Sequence, residues 1–317
     1  MILIDTENRF DQNLKQDIWY INTKRYRDIR NQLKLYFLIV PALIFLNCSA
    51  DKVVMGEEVV ADCVQTEPSG EVPQDLYQAD SVRSTDEFPP FTKKLTVCGI
   101  TLIAREDVAD LFMEKVAATV SAMFVVHDHT DTLLQRELLS NLYRYKTTIP
   151  LFYGEDWSIS SLEEQAWDQT SDANSICDII MAGVPDPVME VVEHILHHVT
   201  DVGLHYTFPQ DWGLSNSSRL YTVTQEAIDL DYYAIEQYSD IGEPGIRNRV
   251  ILQEYAYWII YTAWDLREAY GPQESEWVIM NSNQLQDKLP GSYGLFEETI
   301  PQVLTCPGPE ILNIFLD

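Results

Sequence analysis

The side chains best suited to chemistry are concentrated in one stretch. VMEVVEHILHHVTDVGLHY, Val188 to Tyr206, holds four of the six histidines in the chain. Imidazole titrates near neutrality and is the commonest metal ligand. Wound as a helix, Glu190, His194, His197, His198, Asp201 and His205 fall within an arc of roughly 100°. Met189, Val191, Val192, Ile195, Leu196, Val199 and Val202 fall opposite, which predicts a helix with one buried apolar face. His194 and His198 are one turn apart, so both rings can point at one ion. Two histidines and a carboxylate, with a fourth position open, form the donor set of a catalytic zinc ion.

The carboxylate is expected from a second long helix, Ile246 to Tyr270, ended by Gly271-Pro272. Its stripe Val250, Ile251, Glu254, Trp258, Tyr261 sets one acid in an apolar row. A buried carboxylate is costly unless it is paired or bound to metal. Glu254 is therefore one of three groups that could complete a site with His194 and His198. Asp201 shares the histidine face, and His205 can curl back from the helix end, which Gly203 is expected to mark. Glu190 is a poorer choice, about 12 Å of rise from His198. A metal-free arrangement competes with this one. In it the histidines pair with Asp201, Glu190 and Glu254 and tie the helices together.

The elements that must position these groups are legible in part. KKLTVCGITLIA, ending at Ala104, is apolar on both faces and reads as a buried strand or a tight pair around Gly99. Val108, Phe112, Val116, Val120 and Phe124 repeat every four residues and predict a core-facing helix capped by Asp107. His127-Asp-His-Thr-Asp131 reads as a solvated loop, and Leu133 to Tyr145 as a second helix. Thr147 to Tyr153, TTIPLFY, reads as an edge strand, because Pro150 cannot donate a ladder hydrogen bond. Ser160 to Glu163 has the form of a capping box. Cys177 to Val184 reads as a strand, and Asp186-Pro187 opens the histidine helix. Helical signals recur at Tyr221 to Tyr238. There is no internal repeat and no glycine-rich phosphate loop.

The 317-residue chain is strongly acidic, with a formal charge of −29. Residues 1–50 are the exception, and without them the charge is −31. Such a surface repels nucleic acid and anionic headgroups. Leu35 to Leu46, LYFLIVPALIFL, is too short to span a membrane, which takes about 20 residues. Behind Arg25, Arg27, Arg30 and Lys34 it matches the apolar core of an export signal. Cys48-Ser-Ala50 resembles a cleavage site; alternatively Cys48 is lipidated, which would make a lipid anchor the protein's link to a membrane. Residues 51–90, acidic and without period, are expected to be a disordered linker. These signals predict a periplasmic, secreted or envelope-anchored protein. The five cysteines (48, 63, 98, 177, 306) lack metal-finger spacing. A disulfide such as Cys177–Cys306 fits an oxidising compartment, but sequence does not select the pair.

A sheet with an edge strand, a helix carrying HxxxH, and a later helix with Glu in an aromatic-alanine setting resemble the zincin metallopeptidases. Gln253 to Tyr257, QEYAY, is similar to the glutamate helix of the lethal-factor type. The resemblance covers 91–270. It implies an α+β zincin-like fold over 91–317, with a small mixed sheet packed on long helices and a helix-rich C-terminal half. It implies zinc on His194, His198 and Glu254, and an extended peptide or protein substrate bound at strand 147–153. The sequence departs from the zincin pattern at one point. Zincins place a glutamate directly after the first histidine, to take a proton from the zinc-bound water. Here that residue is Ile195. His197 is the expected substitute base. Two functions follow: a zinc metallopeptidase or its degenerate relative, or a non-catalytic envelope or surface module binding a partner through its acidic face.

Overall fold

The structure, a computed structural model, describes residue 55 and residues 59–272 and 276–316. The expected signal at 1–50, including Cys48, lies outside the described residues. The fold is α+β, with a small mixed sheet of five strands. These are β1 (Arg83–Ser84), β2 (Lys93–Val97), β3 (Ile100–Ala104), β4 (Thr148–Tyr153) and β5 (Ile180–Ala182), hydrogen-bonded in that order. β1, β2 and β3 run antiparallel; β3, β4 and β5 run parallel. β2 and β3 are the tight pair expected around Gly99. Cys98 and Gly99 both take positive φ (47° and 76°), as a two-residue primed turn requires. A Cβ on Gly99 would lie 2.5 Å from the Leu139 carbonyl, so close packing demands glycine there as well.

The parallel strands are buried on both faces, which explains their unbroken apolar runs. Leu102, Leu151 and Ile180 point into the main core. Ile103, Phe152 and Met181, one residue on, point into a smaller cluster with Phe91 and Trp167. Three helices occupy the crossovers: α1 (Asp110–Met123) and α2 (Thr132–Arg144) between β3 and β4, and α3 (Glu164–Ala173) between β4 and β5. α1 starts at Asp110 with Ala109 at its cap, so Asp107 does not cap it. Asp131 does cap α2, accepting from the Leu133 and Leu134 N–H groups.

β4 is an interior strand, not the expected edge. Proline is tolerated there because of where its missing N–H would point. The Thr148 N–H donates to Ser175 and the Gly154 N–H to Ala182. By the period of two, Pro150 faces the same neighbour. The β5 ladder begins only at Leu151–Ile180. The proline thus falls in a gap where residues 176–179 have left the ladder.

α4 (Pro187–His198) opens with Pro187 at its first position. It does not end at Gly203. It widens into a π-helical turn over Val199–Leu204 and closes with an α turn at His205–Thr207. Gly203 is needed for approach: a Cβ there would lie 3.1 Å from Leu138 on α2. Next come α5 (Arg219–Asp229) and α6 (Pro244–Ala263), the longest of the described helices. Both faces of α4 are buried, and α6 is buried all round from Asn248 to Thr262. α4 packs on β4, β5, α1 and α6. A second helix, α7 (Leu266–Tyr270), follows a left-handed break at Asp265, so the long helix expected to Tyr270 is two pieces. α8 (Ser282–Lys288), α9 (Pro290–Thr299) and α10 (Pro309–Leu312) complete the helix-rich C-terminal half.

Residues 59–90 are not a linker. Cys63 is disulfide-bonded to Cys177, Val64 and Leu76 are buried, and β1 extends the sheet. This also corrects the cysteine pairing, since Cys306 is free. Among the described residues, no helix is long and apolar enough to cross a membrane.

Candidate metal centre

The gap beside Pro150 determines what faces the histidine helix. Residues 176–179 leave the ladder, so their N–H groups need other acceptors. His198 supplies one: its Nε2 accepts from the N–H groups of Cys177 (3.2 Å) and Asp178 (3.4 Å). Its Nδ1 donates to the His194 carbonyl at 2.8 Å. Both ring nitrogens are thereby used. Burial pushes its pKa down to about 4, so His198 is neutral at pH 7. This corrects the expected His194/His198 pair, because His198 has no lone pair left for an ion.

The segment that His198 holds carries Asp178, whose carboxylate turns onto the other face of α4. Asp178 Oδ2 lies 2.9 Å from His194 Nδ1 and 2.7 Å from His197 Nδ1. Asp178, His194 and His197 form a buried group whose ligand atoms lie within 4.8 Å of one another. His194 and His197 are three apart on the helix, a spacing that places them side by side. Each ring then offers its far nitrogen to another carboxylate. His194 Nε2 is 3.4 Å from Glu190 Oε1, and His197 Nε2 is 3.7 Å from Glu254 Oε2. In a second group, Glu193, His197 and Glu254, the ligand atoms likewise lie within 4.8 Å of one another.

These contacts include few well-directed hydrogen bonds. His197 Nδ1 makes one with Asp178. Both nitrogens of His194, and Nε2 of His197, are buried without one. Their carboxylate neighbours lie within ion-pair range but off the N–H direction. The electrostatics of the pair are marked nonetheless. Burial alone would lower the pKa of both histidines. Asp178 and Glu190 outweigh it at His194, raising it well above the ordinary value, and Glu254 with Asp178 raises His197. Burial would raise Asp178, and the two imidazoles instead hold it well below the usual carboxylate range.

The remaining expected residues divide. Glu190 belongs to the cluster, tied also to the Met181 N–H at 2.6 Å. The sequence reading measured its distance from His198, whereas its partner is His194, four residues on. Glu254 is at the cluster, behind His197 rather than beside His194. Asp201 faces Arg249 at 3.4 Å, and burial pushes its pKa up to about 7. His205 leaves the arc. The π turn advances by i→i+5 hydrogen bonds, which breaks the 100° winding, and His205 Nδ1 accepts from the Leu214 N–H at 2.8 Å. His127 and His129 stack on an exposed loop, as expected, with centroids 5.5 Å apart. Asp178 is the residue the sequence reading missed. It is a lone acid in the apolar run Cys177 to Val184, the same signal that singled out Glu254.

Comparison with protein-family models, with curated proteins and with solved structures finds no match for this chain. What the geometry establishes is a set of buried His/Asp/Glu groups that could hold a metal ion.

Proposed function

We propose that this protein is an exported zinc-binding protein of zincin-like design that has lost peptidase chemistry. The observation that carries the reading is the convergence of His194 Nδ1 and His197 Nδ1 on Asp178, with His194 buried and neither of its ring nitrogens well hydrogen-bonded. Two imidazoles and a carboxylate suit zinc. A tetrahedral ion with bonds of about 2.0–2.1 Å separates its ligand atoms by about 3.3 Å. The 2.9 and 2.7 Å spacings to Asp178 need open by only a few tenths of an ångström. Glu190 and Glu254 behind the rings supply the carboxylate–histidine pattern that orients metal-bound imidazoles. Zinc at this position would neutralise carboxylate charge and lock α4 to the segment that leads into β5.

Loss of peptidase chemistry is supported at four points. Ile195 is fully buried in the core, where a catalytic glutamate would stand. His197, the expected base, points its Nδ1 at Asp178 and serves as a ligand. The side chains of His194 and Asp178 are only 9% and 6% exposed, so the atoms that would hold the ion are shielded from a peptide substrate. Strand 147–153 has neighbours on both sides, and the Met181 N–H on β5 is covered by Glu190. The Cys63–Cys177 disulfide supports export, since such bonds persist in oxidising compartments. The acidic surface supports a basic protein partner over nucleic acid.

The test is the metal content of the purified chain after zinc loading and desalting. At least about one equivalent is expected, and the content should fall by about one in an Asp178→Asn, His194→Ala double variant that still folds. No metal in the parent would overturn the reading.

A further inference from the structure

His197 stands between two donor groups, and its two nitrogens face different ones. Nδ1 meets Asp178 and His194; Nε2 meets Glu254, with Glu193 in the same group. The corresponding nitrogen of His194 meets Glu190, whose Oε1 is already held by the Met181 N–H. The two rings therefore differ in what lies behind them. Behind His194 is one carboxylate tied to the backbone. Behind His197 are two carboxylates from two helices: Glu193, one turn earlier on α4, and Glu254 on α6. The Nε2 they surround is fully buried and makes no hydrogen bond of good geometry.

We infer that Glu193, His197 Nε2 and Glu254 form a second cation position, and that the His197 imidazolate bridges the two ions. This rests on the zinc-binding reading above. Charge favours it. Asp178, Glu190, Glu193 and Glu254 bring four carboxylates to two imidazoles. Arg249 on α6 is engaged by Asp62 and Asp201, and does not offset them. Among these groups alone, two imidazolium ions leave two negative charges, whereas two divalent cations with one bridging imidazolate leave one. The exchange balances in protons. A neutral imidazole coordinates the first ion through one nitrogen and gives up its remaining N–H proton when the second ion binds the other. Mixed N/O donors of this kind accept zinc and copper(II). Glu193 is half-buried, so the second position lies on the outer side of the first and can exchange with solvent.

Copper(II) and zinc titrations of the full chain test this. The parent should take up about two equivalents of either ion. With copper, exchange through the shared ring should drop the integrated electron paramagnetic resonance signal well below the copper content at low temperature. Glu193→Gln, a conservative change at a half-buried position, should hold about one equivalent with full signal intensity. Asp178→Asn should also hold about one, through Glu193, His197 and Glu254. One equivalent in the parent, unaffected by Glu193→Gln but lost in Asp178→Asn, would sink the second position and leave the first standing. Two equivalents with full signal intensity would refute the bridge. No uptake at all would sink both readings.

Discussion

Two polar clusters lie buried between α4 and α6, and they differ in how completely their groups are satisfied. In one, Arg249 Nε donates to Asp62 at 2.7 Å, and its Nη1 donates to Gln253 at 2.7 Å and approaches Asp201 at 3.4 Å. Gln253 passes the chain of contacts on to the Cys177 carbonyl at 3.3 Å. In the other, three ring nitrogens of His194 and His197 lie among carboxylates without well-directed hydrogen bonds. A saturated network of this kind holds parts together, and Arg249 joins the N-terminal segment, α4 and α6. An unsaturated one in a buried place costs free energy unless something else fills it. The two clusters meet at Cys177-Asp178: one cluster hydrogen-bonds the carbonyl of Cys177 and the other uses the carboxylate of Asp178. The first thus holds the backbone that aims the second.

The comparison can be broken from the saturated side first. Arg249→Met removes one partner of a buried ion network and should cost about 3–5 kcal/mol in urea denaturation, with or without metal. A cost under about 1 kcal/mol would mean that this network is not structural. From the other side, zinc at a hundredfold excess over its dissociation constant should stabilise the parent by about 2.7 kcal/mol. Arg249→Met should keep that increment and an Asp178→Asn, Glu193→Gln double variant should lose it, if the clusters divide as described. Equal increments in all three proteins would merge the two clusters into one function. The smallest effect concerns Asp201. Its folded pKa of about 7 lies above its ordinary value near 3.8, because burial outweighs Arg249. Its contribution is therefore full below about pH 4 and is lost as pH rises through about 7. In metal-free protein, Asp201→Asn should gain on the parent by at least about 1 kcal/mol between pH 4 and pH 8. A gain that runs the other way would mean Asp201 is ionised against Arg249.

Local periodicity predicts the elements whose pattern matches their surroundings. The four-residue repeat through Val116 and Val120 gives α1 because only one stripe of that helix is buried. The hairpin around Gly99 follows from a turn that only small or glycine residues can make. The aspartate cap expected at Asp107 was not found, since α1 starts three residues later behind Ala109. Where a residue has two uses, the sequence reading chose the wrong one. Pro150 suggested an edge, but its missing donor faces a gap in an interior ladder. Gly203 suggested a helix end, but it makes room for Leu138. Residues 59–90 lacked a period because a disulfide, Asp62 and two short strand contacts hold them instead of an amphipathic face.

The residue types alone determined that α4 would be a helix with an apolar arc, that its histidines and Glu254 would meet in the core, and that an acid in an apolar row needs a partner. These follow from angles along one helix and from the cost of burying charge, both local. Which nitrogen meets which carboxylate was decided only by tertiary structure. The break in the β4–β5 ladder sends the N–H groups of Cys177 and Asp178 to His198 and so removes it from the site. The same break delivers Asp178 to His194 and His197, and the π turn carries His205 away. Ring nitrogens are claimed by whatever donor or acceptor the neighbouring chain brings within about 3 Å, and helical spacing carries no information about that chain.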